Sequence, residues 1–146
     1  MLKVGDKAPN FKAIDSEGTS FSLEDILGST TVLYFYPKDE TPGCTQEACD
    51  FRDKIGELEM RGVLVIGVSP DSPKSHQKFI DKHDLNFPLL CDEKLEMCKK
   101  FGIVKEDTKI ERSTFVIDEM GTIRWIEKPA KVEEHIKRVL RAIDEL

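Results

Sequence analysis

Two apolar runs limit most of what this chain can become. Residues 31–36 are β-branched, aromatic or leucine throughout and are closed by Pro37; residues 63–68 repeat the pattern, interrupted only by Gly67. Runs without polar alternation suit strands buried on both faces, the situation of a parallel sheet covered by helices on each side. Between them Cys44, Ala48, Phe51, Ile55 and Leu58 fall at offsets of 0, 4, 7, 11 and 14, which keeps them on one stripe of a helix that Gly62 ends. Strand, helix and strand within about forty residues define a βαβ unit with parallel strands and a right-handed crossover.

The rest of the chain supplies further elements. Ser72 followed by Pro73 predicts an N-cap and a first-turn proline, opening a helix that runs to about Asp84. Asp92 is expected to cap a shorter helix carrying Leu95, Cys98 and Phe101 on one face, stopped by Gly102. Residues 113–118 and 122–127 read as two strands of a hairpin turned at residues 119–121. Val132, Ile136, Val139, Leu140 and Ile143 form the apolar stripe of a last helix. Near the start, residues 15–18 form a turn, and Ser22 with Asp25 can cap a short helix. The expected architecture is a three-layer α/β/α sandwich with a mixed central sheet and an N-terminal β-hairpin, a layout that resembles the thioredoxin fold by analogy of element order.

At 146 residues the chain is expected to form one domain, residues 1–146. A net charge of −6, without basic clusters interleaved with aromatics, argues against nucleic acid as a partner. No apolar stretch approaches the ~20 residues that span a bilayer, so no membrane segment is expected. The first residues lack a basic then apolar leader, and a cytoplasmic location follows by default. Four cysteines are too few for a stapled secreted scaffold; in a reducing compartment such thiols bind metal or do chemistry.

Residues 37–49 link the first buried strand to its helix, at the carboxyl end of the parallel strands where open α/β sheets bind ligands. Cys44 follows Thr-Pro-Gly and belongs in the first helical turn, where unpaired N–H groups and the positive end of the dipole favour a thiolate. Position makes it a candidate nucleophile; a small buried hydrophobe is the plain alternative. Cys49 lies five residues on, and an ideal helix puts the two Cα atoms about 8.5–9 Å apart, too far for a disulfide. Either the two cysteines are unrelated, or the first turns unwind during a cycle that joins them.

The segment 36–49, YPKDETPGCTQEAC, resembles the active-site segment of peroxiredoxins of the bacterioferritin-comigratory-protein type, also called peroxiredoxin Q. The resemblance extends over essentially the whole chain, through GDKAPNF at 5–11, GVSPD at 67–71, FPLL at 87–90 and RSTFVID at 112–118. It implies that Cys44 is the peroxidatic cysteine, which attacks the O–O bond and becomes a sulfenic acid. Pro37 and Thr41 match the motif P-x-x-x-T-x-x-C, in which the proline shields the thiolate and the threonine hydroxyl holds the peroxide. Arg112 matches the arginine that stabilises thiolate and transferred oxygens, and Cys49 matches the resolving cysteine of many members. Glu47 either orients a donor or complements the first helical turn. The implied partners are a peroxide and thioredoxin or a similar dithiol; no cofactor and no metal are implied, and a monomer is the expected state, a weak dimer being the alternative. The chemistry agrees: displacement at a peroxide oxygen needs a thiolate, hydrogen-bond donors and a permanently charged guanidinium.

Cys91 and Cys98 stand where relatives carry small residues, and Cys98 shares its face with Leu95 and Phe101, so both read as buried inert thiols, a disulfide between them being the alternative. Some relatives place a resolving cysteine near the positions of Phe79 and Ile80, where this chain has none. His76, His83 and His135 are scattered and are expected on solvated helix faces. A four-cysteine zinc module is disfavoured by the C-x4-C and C-x6-C spacings, and a dithiol oxidoreductase by the lack of C-x-x-C at the helix start.

Overall fold

The computed structural model of the protein describes residues 1–106 and 108–146. The chain opens with the hairpin β1 (Lys12–Asp15) and β2 (Ser20–Ser22), followed by the short helix α1 (Leu23–Ile26). The βαβ unit comprises β3 (Thr30–Phe35), α2 (Pro42–Arg52), α3 (Ile55–Met60) and β4 (Val63–Ser69). Then come α4 (Pro73–His83), β5 (Leu89–Cys91) and α5 (Glu96–Lys100). A two-stranded ribbon of β6 (Val104–Lys105) and β7 (Lys109–Ile110), the hairpin β8 (Ser113–Ile117) and β9 (Ile123–Glu127), and α6 (His135–Asp144) complete it.

Seven strands form one mixed sheet in the order β2-β1-β5-β4-β3-β8-β9, with β3, β4 and β5 parallel at its centre. The apolar run of β3 divides between two cores, as a strand buried on both faces must. Val32, Tyr34 and Tyr36 face a cluster with Phe51, Leu58, Phe79 and Val139 from α2, α3, α4 and α6. Leu33 and Phe35 face another with Ile26, Met97, Phe101 and Phe115. The expected three-layer α/β/α architecture of thioredoxin-like type is therefore present. Gly67 in β4 is required by close approach: a Cβ there would lie 2.8 Å from Leu89 Cδ2 and 3.0 Å from the Tyr34 ring, which stacks on Phe51 with centroids 4.7 Å apart.

Local signals acted largely as read. Ser72 Oγ accepts from Ser75 N at 3.1 Å, and Asp84 closes α4 in the left-handed region at φ 51°. Asp92 caps α5 from a distance: its carboxylate accepts from Met97 N and Cys98 N at 3.0 and 2.8 Å. Asp25 accepts from Ser22 N at 2.7 Å, closing the start of α1.

The structure corrects four details. The helix expected from Cys44 to Arg61 is two helices, because the chain tightens at Asp53 and Lys54, where Lys54 N bonds back to Phe51 O at 2.9 Å. An acidic residue at the negative end of the dipole and Gly56 just beyond weaken the helix there. One tightened turn leaves the stripe in register, and Ile55 and Leu58 remain buried. The apolar stretch before Cys91 includes a third parallel strand, β5, too short to show a period. Val132 precedes α6 rather than belonging to it, since Glu134 takes a left-handed conformation at φ 57°. Finally, His76 and His135 are buried, not solvated, at 0% and 1% exposure.

Candidate active site

Thr41 is the N-cap of α2 and Pro42 opens the helix, which places Cys44 third in its first turn. The backbone N–H groups of that turn have no helical partners, and the sulfur sits in their field. Cys44 is 2% exposed. Arg112, just before β8, reaches it from the neighbouring strand: Nη2 donates to Cys44 Sγ at 3.2 Å, while Nη1 donates to Glu47 Oε1 at 2.5 Å. The backbone of Arg112 is fixed by Ala130 N, which donates to its carbonyl at 2.7 Å. Gly43 leaves room for the guanidinium, since a Cβ would lie 3.3 Å from Nη2.

The charges are mutually dependent. Burial pushes Glu47 up to about 7, against the pull of Arg112. Burial works to lower Arg112, yet Glu47 and the Cys44 sulfur hold it above its ordinary value. The second oxygen of Glu47 faces His135 Nδ1 at 3.2 Å, and His135 Nε2 lies 2.9 Å from Thr114 Oγ1. Burial pushes His135 down to about 4, so its imidazole is neutral near pH 7.

The loop ahead of α2 is held to α4. Asp39 is buried and accepts from Tyr36 Oη at 2.6 Å and Ser75 Oγ at 2.9 Å, and His76 Nδ1 lies 2.7 Å away. Asp39 N donates to Asp71 Oδ2 at 2.8 Å. Glu40, left-handed at φ 66°, pairs with His83 Nε2 at 3.0 Å. At the far end of α2, Arg52 Nη1 donates to the His83 carbonyl at 2.7 Å. Asp39, Asp71 and His76 could gather round a metal ion, but both His76 nitrogens are engaged, Nε2 lying 2.9 Å from the Leu90 carbonyl.

Of the residues singled out from sequence, Cys44 and Arg112 are brought together with Glu47. Thr41 lies at the helix start, its hydroxyl donating to Lys38 O at 2.8 Å. Pro37 stands exposed where the chain leaves β3, and Cys49 is half-buried on α2 with a free thiol. Cys91 and Cys98 are buried free thiols elsewhere; burial pushes Cys91 up to about 12 and Cys98 higher still, so both stay protonated and inert. Sequence reading missed the parts played by Asp39, His76, His135 and Thr114. The helical period carried a signal for the histidines: His135 aligns with Val139 and Ala142, and His76 with Phe79 and Ile80, on buried faces.

A thioredoxin-like sheet presenting a helix-start cysteine under a guanidinium defines a thiol peroxidase of the peroxiredoxin class. Residues 4–126 match the AhpC/TSA family, and the chain belongs to that family, within its Bcp or Q type. It is 44% identical to a putative peroxiredoxin bcp of Coxiella burnetii, over 95% of this chain and 97% of that protein. It is 40% identical to peroxiredoxin Bcp of Bacillus subtilis, over 99% and 97%. The crystal structure of a cysteine-to-serine mutant of Xylella fastidiosa PrxQ superposes with a TM-score of 0.94 at 36% identity, covering 99% of this chain and 97% of that one.

Proposed function

We propose that the chain reduces hydrogen peroxide and organic hydroperoxides through Cys44 and closes its cycle with Cys49. The observation that carries this reading is the Arg112 guanidinium 3.2 Å from the Cys44 sulfur. A charged N–H aimed there complements negative charge on sulfur and, in the transition state, on the oxygens being separated. Thr41 gives its proton to Lys38 O, so its lone pairs remain to accept the hydroperoxide O–H and turn the distal oxygen toward sulfur. The thiolate attacks that oxygen, the O–O bond breaks, and the leaving alkoxide takes a proton as alcohol or water. Cys44 is left as a sulfenic acid. Pro37 covers the approach and limits access of water.

The Cys49 sulfur, giving up its proton, then attacks the sulfenic sulfur; the S–O bond breaks, the leaving hydroxide takes that proton as water, and a Cys44–Cys49 disulfide remains. Because α2 is a regular helix with both thiols free, its first turns must open for this step. Thioredoxin or a similar dithiol reduces the disulfide by exchange and is itself oxidised. One chain carries both cysteines, so the unit acts as a single-domain monomer, in a reducing compartment such as the cytoplasm; no helix among the described residues is long and apolar enough to cross a membrane.

The test is a coupled assay with thioredoxin and its reductase. The wild type should consume peroxide, and Cys44→Ser should lose turnover by at least about a thousandfold, because a serine hydroxyl stays protonated. A folded Cys44→Ser protein that retained appreciable turnover would overturn the reading.

A further inference from the structure

One oxygen behind the site has no evident partner. Glu47 Oε1 is bound by Arg112, but Oε2 is fully buried and accepts no hydrogen bond; His135 Nδ1 is 3.2 Å away but off the line that a hydrogen bond needs. A buried carboxylate oxygen left unpaired is costly, so a small rotation of the imidazole that brings Nδ1–H into line is favoured. The other side of the ring fits: Thr114 Oγ1 is 2.9 Å from Nε2, and a hydroxyl donating there fixes the ring proton on Nδ1. Thr114 lies on β8, two residues after Arg112, which immediately precedes that strand, so one short stretch of backbone holds both ends of the chain Arg112, Glu47, His135, Thr114.

We propose that His135 is a positioning residue for the peroxide-reducing step: held by Thr114 and acting through Glu47, it keeps the Arg112 fork on the Cys44 sulfur. This rests on the reading of Cys44 as the residue that attacks peroxide. Without the imidazole, no hydrogen bond or ion pair of the structure holds Oε2, and the carboxylate is free to turn or to take a proton. Either change removes the ionic hold on Nη1 and lets Nη2 drift from sulfur.

The hold is therefore sensitive to protonation of Glu47. The groups facing that carboxylate are Arg112, His135 on α6, and Tyr34 on β3, whose buried phenol stays protonated; Asp50 on α2 and Glu127 on β9 add negative charge. His135 in turn faces Glu127, Arg138 and Arg112. Burial places Glu47 near 7, so protonation weakens the hold as pH falls through neutrality. The oxidation rate then carries a limb that falls with pH through neutrality and belongs to Glu47. Glu47→Gln, which cannot ionise, should lack that limb.

The experiment measures the second-order rate of Cys44 oxidation by hydrogen peroxide from pH 5 to 8, by rapid quenching and mass analysis. His135→Leu should be about tenfold slower, with the Glu47 limb displaced to higher pH, because the carboxylate has lost its donor. His135→Asn puts an amide N–H where Nδ1–H stands, and should restore the limb and bring the rate within about threefold of wild type. A wild-type rate and limb in His135→Leu overturn the proposal; so does an equal loss in both variants with the limb unmoved, which assigns His135 to packing alone. Long-range 15N–1H NMR of the wild type gives a second reading independent of any variant's folding: His135 should be the neutral Nδ1–H tautomer at pH 6 to 8, and an Nε2–H tautomer overturns the proposal. If wild-type Cys44 is not oxidised by peroxide, the peroxidase reading fails, and the NMR result still decides the His135 contact.

Discussion

At the scale of single residues the site is governed by what surrounds the guanidinium. Gly43 faces it with no side chain, and in Gly43→Ala the new methyl would press on Nη2 from 3.3 Å. Arg112 is the flexible partner and must yield by a few tenths of an ångström. Alanine is otherwise the better helix former by up to about 1 kcal/mol. Gly43→Ala should therefore melt no lower than wild type, yet its Cys44 should react with peroxide about tenfold more slowly. Thermal unfolding and the oxidation rate, measured on the same preparation, check this; an unchanged rate would mean that the guanidinium tolerates displacement. Residues of this site were legible in sequence to different degrees. Cys44, Thr41 and Arg112 stand in linear motifs. His135 and Thr114 do not, because their meaning lies in a contact between α6 and β8 that no local pattern encodes, and a histidine on an apolar stripe looks the same whether it packs or works.

At the scale of elements, the break after Arg52 gives α2 its own identity. It is anchored through Ala48 and Phe51, while α3, a helix of its own, enters the same core through Ile55 and Leu58. Joining Cys44 to Cys49 needs α2 to open, and the break stops that opening from spreading. Oxidised protein should show faster amide exchange over residues 41–50 than reduced protein, with residues 55–61 unchanged, as mass-detected exchange on both states would report. Equal exchange, with the disulfide confirmed by mass, would show that α2 is not regular in the reduced protein. The strands of the βαβ unit could be read because runs buried on both faces admit few alternatives. The strand β5, with three residues, and the two-residue ribbon strands β6 and β7 could not, since pairing across the sheet defines them and sequence carries no period that short.

At the scale of the whole molecule, Glu47 and His135 bias stability in opposite directions. Folding raises Glu47 from 4.5 to about 7, so the native state binds the extra proton between those values and stability falls as pH rises through them. Folding lowers His135 from 6.5 to about 4, so the unfolded state binds the extra proton there and stability rises with pH. The two nearly cancel between pH 4.5 and 6.5, and wild-type stability should be little affected by this pair. His135→Asn should lose stability as pH rises from 4.5 to 7, and Glu47→Gln should gain it from 4 to 6.5, by at most about 1.4 kcal/mol per pH unit each. Urea unfolding at a series of pH values measures the slopes, and parallel curves for all three proteins would remove the coupling. The ties at the end of α4 have a mechanical result. Glu40 before α2 and Arg52 at its close both fasten to His83, one to the ring and the other to the carbonyl. Eleven residues of helix rise about 16 Å, whereas the same residues extended reach about 36 Å. In the proposed cycle the turns that open lie between these two moorings, so the freed residues bow outward as an arc and carry the Cys44–Cys49 bond toward solvent, where a dithiol can reach it.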